Sequence, residues 1–204
     1  MLGSSLCLSL IAAAPQPGAW QTLFDGKTLD GWKITEFGGE GEVYVKDGEI
    51  IMRMGQPLTG ITWKAGDQVP KDNFEVTLQA MKRKGDDFFC ALTFPVRDSH
   101  ATFVVGGWAG SVIGLSNING LDASENETTK YERLEHNKWY SVRVRVADDR
   151  IGCWLGDQQM VDVPLKDNRI STRIEVDPSR PLGVCCYNVE AGIKDIKLKR
   201  LENK

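Results

Sequence analysis

The string Arg97-Asp98-Ser99-His100, followed by Trp108, gathers side chains suited to acid–base chemistry on a ring-shaped substrate. Asp98 or His100 can take a proton, and the Arg97 guanidinium can stabilise an oxyanion left behind. The flat indole of Trp108 offers a stacking surface. The same string also suits a β-turn with solvated charges and a tryptophan at a rim. Further on, Asn117, Asn119, Asp122 and Glu125 form an oxygen-rich stretch of the kind a divalent cation favours, although it lacks the full calcium-loop spacing. Glu132, Glu135 and His136 precede a strand and are placed to reach the same face. Trp63, after Thr59-Gly60-Ile61-Thr62, is either a second platform or a core tryptophan. The histidines are His100 and His136 alone and no Cys-x-x-Cys occurs, which argues against a structural zinc site.

The elements that position these residues read as strand after strand. Val43 and Val45 alternate with Glu42 and Tyr44, Asp47-Gly48 turns the chain, and Glu49 to Met52 returns, a hairpin signature. Phe74, Val76, Leu78 and Ala80 alternate with Glu75, Thr77, Gln79 and Met81 as a half-buried strand. Phe88 to Phe94 is apolar on both faces, which predicts a central strand ended by Pro95. Ala101 to Gly106 and Ser111 to Ile118 make two shorter runs, and the polar stretch from Asn119 to Lys130 reads as a long loop. Trp139 to Ala147, Ile151 to Leu155 and Met160 to Val163 form a meander, with Val142, Val144 and Val146 inward. Ile196 and Leu198 belong to a terminal strand. Past the leader, no segment holds a 3.6-residue apolar period, so many short strands between turns predict an all-β sandwich of two antiparallel sheets.

Composition narrows the partners. The chain has 204 residues, 41% hydrophobic and 26% charged, with a net charge of -3. It lacks the basic excess that phosphate neutralisation requires, so nucleic acid is not an expected partner. No apolar run reaches the length of a membrane span. Leu6 to Ala14, followed by Pro15 and Pro17, reads as a secretory leader occupying residues 1–18, ahead of a single domain at 19–204. Export to the periplasm or the extracellular space follows. Cys90, Cys153, Cys185 and Cys186 permit two disulfides in such a protein. Adjacent strand residues face opposite ways, however, so Cys185 and Cys186 cannot share one core partner, and buried free thiols are the simpler reading.

Leu23-Phe24-Asp25-Gly26-Lys27-Thr28-Leu29-Asp30-Gly31-Trp32 resembles the opening signature of the 3-keto-disaccharide hydrolase family. Asn73-Phe74-Glu75-Val76, Asn137-Lys138-Trp139-Tyr140, Trp154-Leu155-Gly156 and the strand Ile193 to Leu201 follow the family's order. The resemblance spans about Trp20 to Leu201. It implies a concanavalin-A-like jelly roll acting on 3-keto-glycosides, as a lyase or as a hydratase of the unsaturated product. It also implies a saccharide ligand or substrate. Under that reading Asp98 or His100 takes the C2 proton and Arg97 holds the enolate oxygen. Trp108, Trp63, Asn117 and Asn119 then hold the sugar, with a divalent metal as a possible cofactor. A carbohydrate-binding module on the same fold is the alternative. The chain departs from the family pattern at Lys84 to Ala91, where Gly-Asn-Ser-Gly is usual. It departs again at Cys185-Cys186-Tyr187-Asn188, where a His-Gly is usual. These departures bear on catalysis more than on fold. In the opening signature, Asp25-Gly26 and Asp30-Gly31 read as turn pairs, with Phe24, Leu29 and Trp32 as anchors.

Overall fold

The computed structural model describes residues 18–202; the leader reading lies outside them except for its last residue, Gly18. In chain order the strands begin with β1 (Trp20–Thr22), β2 (Trp32–Ile34), β3 (Val43–Lys46), β4 (Glu49–Met52), β5 (Leu58–Trp63), β6 (Phe74–Lys84) and β7 (Cys90–Val96). They continue with β8 (Ser99–Gly106), β9 (Val112–Ser116), β10 (Lys130–Tyr131), β11 (Trp139–Ala147), β12 (Arg150–Leu155), β13 (Gln158–Pro164), β14 (Gly183–Tyr187) and β15 (Glu190–Arg200). Helical structure is confined, among the described residues, to a turn at Gly107–Gly110 and 3-10 segments at Gly66–Gln68 and Ile174–Ser179.

These strands form two antiparallel sheets packed face to face. The first runs β13-β12-β11-β6-β15-β4-β3, with β1 also paired to β15, and the second runs β10-β9-β8-β7-β14-β5-β2. Alternation decides which side chains meet in the middle. On β11, Val142, Val144 and Val146 are fully buried, while Arg143 and Arg145 lie on the outer face opposite Thr77 and Glu75. On the second sheet, Phe94, Leu92, Phe103, Val105, Ile113 and Leu115 join the same central core. Asp47 and Gly48 both take positive φ in the β3–β4 turn, as an Asp-Gly hairpin requires. Pro95 sits inside β7 rather than ending it. The β14 ladder stops at Thr93, so no neighbour on that side needs the proton proline lacks.

The opening signature is a structural clasp. Trp32 is 2% exposed and its indole N–H donates to the Leu23 carbonyl at 2.8 Å. Phe24 is buried and Leu29 packs against the core. Asp25 accepts from the backbone N–H groups of Thr28 and Lys27, which holds its carboxyl below the usual range. Gly31 has φ of 83°, and a Cβ there would stand 2.4 Å from the Trp63 ring. Only glycine lets the two strands close over that tryptophan.

The described cysteines are all free and buried. Cys186 faces the central core, whereas Cys185 belongs to a small cluster with Leu58, Ala91 and Val176 on the other side of β14. Burial pushes the Cys185 thiol up to about 12.

Candidate functional site

The outer face of the second sheet carries the site. Ala91 on β7, Thr102 and Val104 on β8, Ser116 on β9, Leu58 on β5 and Tyr187 on β14 all point outward by alternation. They floor a cleft of about 260 Å³. Three segments wall it: Asp87-Phe88 before β7, Trp108 in the turn after β8, and Arg173 to Val176 at the start of the 3-10 segment. Phe88 and Tyr187 lean on each other with centroids 5.5 Å apart. Trp108 remains 39% exposed over this apolar floor. Its backbone φ of 47°, with Ala109 at 63°, is left-handed in two consecutive non-glycine residues. That arrangement persists only where its surroundings enforce it.

The charged wall is built around Arg173. Its Nη2 donates to Glu175 Oε1 at 2.8 Å, its Nε to Glu175 Oε2 at 3.3 Å, and its Nη1 to Asp122 Oδ2 at 2.5 Å. The guanidinium holds the Glu175 carboxyl below the usual range, and Glu175 and Asp122 in turn keep Arg173 charged. Three of its five N–H groups are used, leaving two without a partner among the described residues. Both Glu175 oxygens are occupied. Asp87 is freer: Oδ1 accepts from the Phe88 N–H at 2.8 Å, and Oδ2 meets only the Ala109 N–H at 3.4 Å.

Of the residues singled out in the sequence, Trp108 lines this cleft. His100 lies on the same face, two residues from Thr102 along β8, or roughly 7 Å beyond the lining. Burial chiefly, then the Arg180 cation, lowers its pKa, against an opposing pull from Asp177. Asp177, Arg180 and Thr172 form a hydrogen-bonded group beside it. The tight β7–β8 turn carries Arg97 and Asp98 away from the cleft. Arg97 pairs with Asp149 and Asp72 at the end of the sandwich, and Asp98 is fully solvated with Lys71 at 4.0 Å. Trp63 faces inward, edge-on to Trp32 at a centroid distance of 5.1 Å, and is core rather than platform.

The oxygen-rich stretch does not converge. Asn117 ties the end of β9 to the 171–172 segment, exchanging backbone bonds with Ser171 and donating its side-chain amide to the Thr172 carbonyl. Asn119 bonds Asn168 and Arg169, Asp122 caps Ser124 and holds Arg173, and Glu125 is exposed. Among the described residues no group of three or more His, Cys, Asp or Glu side chains is arranged to hold a metal ion. Arg173, Asp87 and Tyr187 escaped the sequence reading. The two departures from the family pattern mark Asp87 and Tyr187, whereas nothing in the sequence marks Arg173.

The fold and this cleft define a concanavalin-A-like jelly roll with a solvent-open hollow on one sheet. The model of the 3-keto-alpha-glucoside-1,2-lyase-like domain matches residues 19–199, and the chain belongs to that family. No curated protein matches it in sequence. Solved structures share its fold at low identity. The carbohydrate-binding module CBM66 from Bacillus subtilis is 15% identical, with 83% of this chain and 95% of that chain covered and a TM-score of 0.56. Domain 4 of AbnA, an extracellular arabinanase from Geobacillus stearothermophilus solved with arabinotriose, is 10% identical with 91% and 92% covered and a TM-score of 0.55. A Bacillus subtilis protein of unknown function with a galectin-like fold is 10% identical with 84% and 90% covered and a TM-score of 0.58. No helix among the described residues is long and apolar enough to cross a membrane.

Proposed function

We propose that this chain acts on 3-keto-glycosides in the cleft of the second sheet, as a lyase of the glycosidic bond and a hydratase of its product. The observation that carries this reading is a cation with unused donors, Arg173, in one apolar hollow with an available carboxylate, Asp87, and an exposed indole, Trp108. Family membership supports the same chemistry.

The chemistry follows from the substrate. A C3 carbonyl acidifies the C2 hydrogen, because the electrons left on C2 delocalise onto the C3 oxygen. Asp87 takes that proton, and the free N–H groups of Arg173 hold the enolate oxygen. The enolate then expels the C1 oxygen: a C1–C2 double bond forms, the C1–O bond breaks, and the departing oxygen recovers the proton. Hydration of the unsaturated sugar adds water across the same bond. Glu175, clamped by Arg173 through both oxygens, supplies negative charge that orients the guanidinium and does not move protons. Trp108 stacks on the ring. His100, held neutral above its lowered pKa, sits at the far end of the face as a secondary acceptor. Residues 1–18 are proposed as an export leader for a domain spanning 19–204.

Incubating the protein with 3-keto-trehalose tests this directly. The glycosidic linkage is lost with wild type and retained with Asp87→Asn. The binding-module reading draws on the saturated Glu175 and Asp122 and on the fold shared with CBM66. It prevails if the sugar binds and its linkage survives across added divalent metals. Lost turnover in Asp98→Asn with His100→Ala, and none lost in Asp87→Asn, would return the site to the β7–β8 turn.

A further inference from the structure

Behind the Trp108 turn lies a second hollow of about 420 Å³, lined by Lys82, Ala109, Gly110, Ser111, Glu132 and Arg133, with Tyr131 at its edge. Lys82 is the unusual member. It is 3% exposed, near the C-terminal end of β6, yet it lines this space with its Nζ beside Gly110. Buried ammonium groups are ordinarily paired and hydrogen-bonded, because desolvating an isolated charge is costly. The ionic partner of Lys82 is Asp86, whose Oδ1 stands 3.6 Å away, beyond hydrogen-bond reach, and whose side chain is 78% exposed. Asp86 Oδ1 also stands 3.6 Å from His136 Nε2. The His136 ring is anchored separately to the Gly85 carbonyl at 3.0 Å.

Gly110 borders the approach to the ammonium. A Cβ at that residue would stand 3.5 Å from Lys82 Nζ, within the space a ligand oxygen would use. Arg133, exposed, adds a second cation to the lining and Ser111 a hydroxyl, while half-buried Glu132 and exposed Asp86 oppose them. A buried ammonium short of close acceptors, in an open hollow with a guanidinium, is the arrangement that recruits an anionic oxygen.

We propose that this hollow is a binding site for a small oxyanion group, a carboxylate or phosphate, with Lys82 as its principal donor and Arg133 as its rim contact. It rests on the proposed function only in one respect: such a group on a saccharide would reach the hollow from the cleft over the Trp108–Gly110 partition. The site itself stands on Lys82 alone.

The test is equilibrium binding to the full chain at constant ionic strength, read by calorimetry and thermal shift. The probes are inorganic phosphate and glucuronate, with chloride as the reference salt. Wild type binds at least one probe saturably. Lys82→Met, which keeps the apolar stem, weakens binding by about 10- to 100-fold, as loss of a charge-assisted hydrogen bond predicts. Arg133→Ala, at an exposed residue that leaves the fold alone, weakens it by several-fold. Phosphate binding alone assigns the site to phosphoryl groups, and glucuronate binding alone assigns it to sugar acids; both support the proposal. No saturable binding of either probe, or equal affinity in wild type, Lys82→Met and Arg133→Ala, overturns it. Asp87→Asn separates this site from the cleft: oxyanion binding persists there whether or not 3-keto-glycoside cleavage is ever observed.

Discussion

The outer faces of the two sheets carry similar residues arranged to opposite ends. On the first sheet each outer-face tryptophan among the described residues already has a cation. Lys194 Nζ lies 4.0 Å from the Trp139 ring centre, the Arg143 guanidinium carbon 3.9 Å from Trp154, and Lys199 Nζ 4.6 Å from Trp20. Beneath them Glu75, 4% exposed, gathers Lys199 at 3.0 Å, Arg145 at 3.6 Å and Arg143 at 3.9 Å. On that face the tryptophans and the Glu75 cluster are paired internally, and the Glu49–Arg83 pair alone leaves buried atoms, Glu49 Oε2 and Arg83 Nε, without partners among the described residues. On the second sheet Trp108 has no such cation among the described residues, and Arg173 keeps donors in reserve. Aromatic content alone therefore does not mark a ligand surface; an aromatic ring left without a partner beside an unsaturated cation does.

Breaking the reserve cation gives the largest expected effect. Arg173→Met should lower turnover of a 3-keto-glycoside by about 10²–10³-fold, as removal of one oxyanion donor does elsewhere, with an unchanged far-ultraviolet circular dichroism spectrum. Unchanged turnover would move the enolate clamp elsewhere. Next, Trp108→Ala should weaken saccharide binding by about tenfold, whereas Trp154→Ala on the first sheet should leave it unchanged; equal losses in titration calorimetry would erase the contrast between the faces. Glu75→Gln should cost about 1–3 kcal/mol of stability in urea unfolding, because its cations lose their shared counter-charge, with no change in saccharide affinity.

The smallest effect is a pH dependence. The folded pKa of His100 lies below the ordinary value of 6.5, so between the two values the unfolded chain binds a proton that the folded chain does not. Stability therefore falls as pH drops below about 6.5 and through the lowered folded value. His100→Gln should flatten that window in thermal unfolding. The carboxyls of Asp25, Glu40 and Glu175, also lowered, give a separate loss only at more acid pH, below the ordinary value of 4.5 for glutamate and 3.8 for aspartate, which the variant retains.

What the sequence disclosed was what neighbouring residues decide. Asp47-Gly48 set a hairpin, alternation from Phe74 and along Trp139 to Ala147 set two central strands, and the spacing of Phe24, Leu29 and Trp32 set the clasp. The cleft is different in kind. Its lining comes from residues 58, 87, 88, 91, 102, 104, 108, 116, 173, 175, 176 and 187, joined only by sheet order. No local pattern encodes that Asp87 will stand near Trp108, or that Arg173 will reach Asp122. The Arg97–His100 string looked catalytic because its residue types were adjacent. In a tight strand turn, adjacency sends side chains apart: Arg97 and Asp98 to the end of the sandwich, His100 onto the sheet. Trp63 was ambiguous for a related reason, since its place in the core depends on Gly31 across the β2–β5 pair.

The partition at Trp108–Gly110 stands between the two hollows, contributing Trp108 to one and Ala109 and Gly110 to the other. Guests that each shift this turn would be linked thermodynamically through it. Whatever factor the guest in one chamber imposes on its neighbour's affinity, the neighbour imposes in return.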